Sequence, residues 1–160
     1  MTISRTTRFF LIAAPAALLV TGTLAAAPAA APSPQAAIAA RQAGYKKMGA
    51  AMKAINDQLK TDAPAKAVMS PAAQTLAATA REQPKLFPAG SGPTAGVKTD
   101  ALPNIWTDRK TFDAQMAKLI AESGKLVAVM NSGNIDAIRA QAKATGGTCA
   151  ACHRQFRQDT

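Results

Sequence analysis

The chain has 160 residues and a formal charge of +10 at neutral pH, from 19 lysines and arginines against 9 acidic residues. Alanine dominates, aromatics make up 4% and β-branched residues are few, which excludes a β-rich fold and points to an all-α domain. The basic residues are scattered with no aromatic platform beside them, so nucleic acid is excluded as a partner; a solubilising surface, acidic partners and anionic membrane surfaces remain.

At the N-terminus Arg5 and Arg8 precede an apolar run from Phe9 to Val20, broken only by Pro15, and small residues follow from Thr21 to Ala31. This is the layout of a secretory signal peptide, assigned to residues 1–27 with cleavage between about 25 and 31. The run is shorter than the ~20 residues a membrane span needs, so no integral membrane segment is expected in the mature chain. Removing Arg5 and Arg8 takes the charge from +10 to +8. Export leads to the periplasm, an oxidising space in which an even cysteine count is free to pair. The remaining ~130 residues suit one domain, placed at 35–158.

Hydrophobic spacing predicts four helices. Ile38, Arg41, Tyr45, Met48, Met52, Ile55 and Leu59 step alternately by 3 and 4 residues, one face of a long bundle helix, with Pro34 as its start signal and Pro64 as its stop. Ser70-Pro71 reads as an N-cap followed by a first-turn proline, opening a short alanine-rich second helix to about Glu82. From Pro84 to Thr107 the prolines and glycines describe a long connection of the kind that covers a cofactor. A third helix starts at Thr107 or Asp108 and carries Phe112, Met116, Leu119, Ser123, Leu126 and Met130 on one seam; a turn around Gly133 follows. The fourth places Ile135, Ile138, Ala142, Thr145, Cys149, Cys152 and Phe156 on its seam. Gly146-Gly147 either lets a cofactor approach the backbone or breaks this helix in two.

The last segment reads Cys149-Ala150-Ala151-Cys152-His153, the C-x-x-C-H attachment motif of a c-type haem. Two thiols at this spacing reach the two vinyl groups on one porphyrin edge, and the imidazole beside them becomes an axial iron ligand. A thioredoxin-like pair lacks its strand here, and structural zinc needs four ligands where the chain offers 2 cysteines and 1 histidine. A plain disulfide or dithiol stays open. His153, the sole histidine, is the candidate metal ligand, and a second histidine ligand is excluded.

A haem motif at the C-terminal end of a four-helix chain resembles the class II cytochromes, and specifically the cytochrome c′ family. Arg41-Gln42 with Tyr45, Lys46 and Met48-Gly49 is similar to the family's first-helix haem-contact segment, Leu86-Phe87-Pro88 to its mid-loop signature, Asp100 through Trp106 to its loop-to-third-helix signature, and Cys149 to Arg157 to its C-terminal signature. The resemblance implies an antiparallel four-helix bundle with one haem c bound covalently near the C-terminus, thioether bonds from Cys149 and Cys152, and His153 as proximal ligand. It implies further that Arg41 and Gln42 touch the haem propionates, that Asp100 lies at the haem edge, and that Arg157 lies near the proximal face. Arg41 can otherwise snorkel, and Gln42 and Asp100 can be ordinary surface groups.

The resemblance implies that Tyr45 occupies a position facing the distal side of the iron, where relatives with a methionine sixth ligand carry that methionine. The expectation is therefore a five-coordinate, high-spin haem that binds small gases, nitric oxide above all and carbon monoxide, and transfers electrons without being an enzyme. A peroxidase would need a distal acid–base group such as a second histidine. The alternative is a low-spin, six-coordinate electron carrier ligated by Met48, or by Met52, although methionine on a bundle seam is usually core filler. A homodimer formed through the first two helices is also implied by the resemblance; redox partners are not.

Overall fold

In the computed structural model Ser33 caps the first helix, its hydroxyl accepting from Ala36 N at 3.2 Å, and Pro34 takes the first helical position, where its missing N–H costs nothing. The structure describes residues 32–158, so the expected signal peptide lies outside the described residues. Helix α1 (Pro34–Gln58) ends well before Pro64, and the Gln58 side chain closes the turn by accepting from Ala65 N at 2.8 Å.

Helix α2 (Lys66–Glu82) differs from expectation at its start. It begins five residues before Pro71, Ala65 precedes it without a side-chain cap, and Pro71 lies inside. Proline so near an N-terminus forfeits one hydrogen bond, to the Ala67 carbonyl. In exchange the added turn buries Met69 completely and lets Lys66 Nζ donate to Asn131 O at 3.3 Å. Ser70 is consequently a helix-interior residue and caps nothing.

A 3₁₀ turn (Gln83–Leu86) follows, then the long loop, the short helix α3 (Asn104–Thr107), α4 (Arg109–Ser132) and α5 (Ile135–Phe156). Asp108 caps α4 by accepting from Thr111 N, and Asn134 caps α5 by accepting from Ala137 N. Between them Gly133 at φ 68° makes the left-handed turn that reverses the chain. Helix α5 runs unbroken through Gly146-Gly147, which removes the two-piece reading of that pair.

The four long helices form an antiparallel bundle of two hairpins, α1/α2 and α4/α5, joined where α2 packs on α4. Phe112, Met116, Leu119, Ser123, Leu126 and Met130 are all buried, as their spacing requires. Two apolar clusters result. The larger gathers residues such as Ile55, Leu76, Leu126 and Ile138; the smaller gathers Phe87, Ile105, Phe112, Met116 and Phe156, with Phe112 edge-on to Phe87 at 4.7 Å and to Phe156 at 5.3 Å. Among the described residues no helix is long and apolar enough to cross a membrane.

Candidate haem site

Helices α1 and α5 barely touch. Their facing sides line a cavity of about 830 Å³, in the range of cofactor sites. Arg41, Gln42, Tyr45, Asp100, Cys149, Cys152, His153 and Arg157 all line it, so the structure brings every sequence-derived site residue to one chamber, together with Met48 and Met52.

The chamber divides the core. Cys149 packs on the larger cluster and Cys152 on the smaller, while Tyr45 touches both. Both cysteines are free thiols. Burial raises the Cys149 thiol above its ordinary pKa and, helped by Cys149 beside it, pushes Cys152 up to about 11. Burial first, and then the Arg157 cation, holds His153 below the ordinary histidine pKa, so the imidazole is neutral near pH 7 with a lone pair free for a metal. Arg157 Nη1 lies 3.5 Å from His153 Nδ1. Tyr45 is pushed well above the ordinary phenol range by burial, with the neighbouring Cys152 adding to it. The phenol is therefore protonated at neutral pH.

Arg41 is only 2% exposed, and no sequence pattern marks the loop groups that it holds. Its Nη1 donates to Ser91 Oγ at 3.0 Å and Leu86 O at 3.4 Å, and its Nη2 to Ser91 O at 2.7 Å and Thr99 Oγ1 at 2.8 Å. The guanidinium also lies 4.7 Å from the Phe87 ring centroid. Four N–H groups are thus spent on the loop, and Nε–H is the donor left over for an anionic group in the chamber. Gln42 joins the same attachment through Nε2 to Lys98 O at 2.9 Å. Asp100 accepts from Gln158 N through its backbone at 2.8 Å, and the residue borders the chamber. The acceptors Ser91 and Thr99 escaped the sequence reading because loop hydroxyls carry no periodic signal. We expect Arg41→Leu to cost roughly 1–3 kcal/mol by stranding the fully buried Ser91 carbonyl; urea denaturation of the holoprotein measures it.

The donor set fits haem c. Two thiols bordering one apolar chamber, a neutral imidazole next to them in sequence, and a gap that keeps two clusters apart are what a covalently attached porphyrin requires. Bundle and site together define a helical c-type cytochrome with its attachment motif on the last helix.

The chain belongs to the cytochrome c′ family, whose sequence profile, Cytochrome C′, matches residues 36–157. It is 34% identical to the cytochrome c′ of Rhodospirillum rubrum over 153 residues, covering 95% of this chain and 99% of that one. Its fold superposes with a TM-score of 0.76 on a crystallographic cytochrome c′ with an unusual ligand-controlled dimer dissociation, at 26% identity over 81% of this chain and all of that one. A nitric oxide complex of an Alcaligenes xylosoxidans cytochrome c′ variant matches at 25% identity and TM-score 0.71, covering 79% and 97%. A carbon monoxide complex of another variant of the same organism's protein matches at 25% identity and TM-score 0.72, covering 79% and 98%. The protein is accordingly a c-type cytochrome carrying covalent haem c.

Proposed function

We propose that this cytochrome is exported to the periplasm through the signal peptide at residues 1–27, that residues 35–158 form its haem domain, and that it binds nitric oxide and carbon monoxide and exchanges electrons without being an enzyme. When bound, haem c supplies a redox-active iron that can take a diatomic gas. The observation that carries the reading is Tyr45: a protonated, partly buried phenol wedged between both clusters on the chamber wall. A neutral phenol is a poor ligand, so it occupies the distal space without filling the sixth position, and the iron is five-coordinate and high-spin.

Each remaining residue has a task in this reading. Cys149 and Cys152 hold the porphyrin edge, and His153 binds the iron from the proximal side with Arg157 beside its Nδ1. Arg41 Nε, Gln42 and Asp100 meet the polar haem edge. Gas complexes of variants of the Alcaligenes protein support the ligand class. The ligand-controlled dimer among the structural neighbours supports a homodimer.

A second reading has its own observation. Met48 and Met52 also line the chamber, so a thioether is present to make a low-spin electron carrier. Visible and EPR spectra of the purified ferric protein separate the two. We expect high-spin signals and no methionine-to-iron charge-transfer band. A low-spin spectrum that Met48→Ala abolishes would overturn the first reading.

A further inference from the structure

Distal and proximal walls belong to α1 and α5, and these helices barely touch. What joins them at the chamber mouth is the loop. At one end Arg41 grips Ser91 and Thr99. Thr99 Oγ1 also accepts from Ala101 N at 3.2 Å, and Ala101 pairs with Arg157 in the sole β-bridge among the described residues. Leu102 N donates to Phe156 O at 3.0 Å and Gln158 N to Asp100 O at 2.8 Å. The loop is a strap sewn to α1 by side chains and to the end of α5 by backbone.

We propose that Thr99 is a positioning residue for gas binding: its hydroxyl is the stitch that bonds both Arg41, on the α1 face carrying Tyr45, and the loop backbone leading to the Arg157–His153 turn of α5, and so helps keep the two in register. Arg41 and Tyr45 are four residues apart and face the same way on α1. Thr99 accepts from both ends of the strap, from the Arg41 guanidinium and from the backbone leading to Arg157. Removing that one oxygen deletes the bonds to Arg41 and to Ala101 N and so loosens the tie between the walls, while Ser91 still accepts from Arg41 and the backbone bonds to α5 remain. The proposal rests on the gas-binding reading of the chamber, but the strap can be tested without gas.

The variants are Thr99→Val, which keeps the shape and deletes the acceptor, and Thr99→Ser, which restores it. Hydrogen exchange on the holoprotein reads the strap itself. In Thr99→Val, amides of α1 around Tyr45 and of the α5 end around Arg157 should both exchange faster, and in Thr99→Ser neither. Acceleration confined to the loop would overturn the strap. Carbon monoxide association to the ferrous protein reads the positioning. Thr99→Val should raise the rate roughly fivefold, the worth of one partly buried hydrogen bond placed wholly on the barrier. Contiguity is not coupling, so the same substitution in a Tyr45→Ala background should change the rate by less than about twofold. An equal rise in both backgrounds, or a lowered Tm with an unchanged rate, would overturn it. Should Thr99→Val fail to fold, Thr99→Ala, which deletes the same acceptor with a smaller side chain, gives the same readouts. A wild type that takes up no carbon monoxide would sink the gas reading, with hydrogen exchange still deciding the strap.

Discussion

Alanine at both Cys149 and Cys152 should abolish the holoprotein and leave a bundle that is barely folded. The two cysteines border the chamber and pack against different apolar clusters, so the covalent haem completes one core out of two. Without it the about 830 Å³ gap between α1 and α5 fills with water, and residues such as Met116, Phe112 and Leu76 lose their missing neighbour. A domain of this size has only about 5–15 kcal/mol of total stability, and a loss of several kcal/mol lowers Tm by roughly 15 °C or more. Circular dichroism melts and a pyridine haemochrome assay measure both effects. The same logic requires that acid–acetone extraction of the wild type release no haem. Haem in the extract would overturn the thioether assignment and return the cysteine pair to the dithiol alternative.

Seams were legible because bundle helices bury one stripe, and Ile38 to Leu59, Phe112 to Met130 and Ile135 to Phe156 each keep the alternating step. Even small polar members obey it: Ser123 and Thr145 are fully buried, their hydroxyls returned to Ile120 O and Gln141 O one turn back. The start of α2 was illegible because the local signal at Ser70-Pro71 competes with the burial of Met69, and burial prevails. The haem motif placed two thiols and an imidazole on one chamber from spacing alone. Arg41 shows where such reading stops. Its position on a seam left a propionate contact or a snorkelling side chain open, but its four acceptors lie 45 to 58 residues away, and no period in the sequence connects them. Gly44 is similar: a Cβ there would collide with the buried Gln83 amide, a close approach that only the folded chain reveals.

Tyr45→Ala should raise affinity for carbon monoxide by about 10–100-fold, since the ligand would no longer displace a ring packed against both clusters, and a buried side chain of that kind is worth ~1.5–3 kcal/mol. The gain should appear in the association rate of the ferrous protein, with bundle stability falling modestly as the ring's contacts are lost. Tyr45→Met tests the same wall from the other side. Family resemblance puts the sixth-ligand methionine of the electron carriers at this position, so the variant should turn low-spin and six-coordinate and lose most of its carbon monoxide uptake. Met48, one turn further along α1 and 6% exposed, stays with the larger cluster in either variant. Where the wild type is high-spin, the Met48 thioether is a waiting ligand only if the spectrum of Tyr45→Ala becomes low-spin without added gas. That result, reversed by a second substitution Met48→Ala, would mean that the tyrosine ring keeps a waiting ligand off the iron; a Tyr45→Ala protein that stays high-spin and takes up carbon monoxide faster means that the ring bars only the gas.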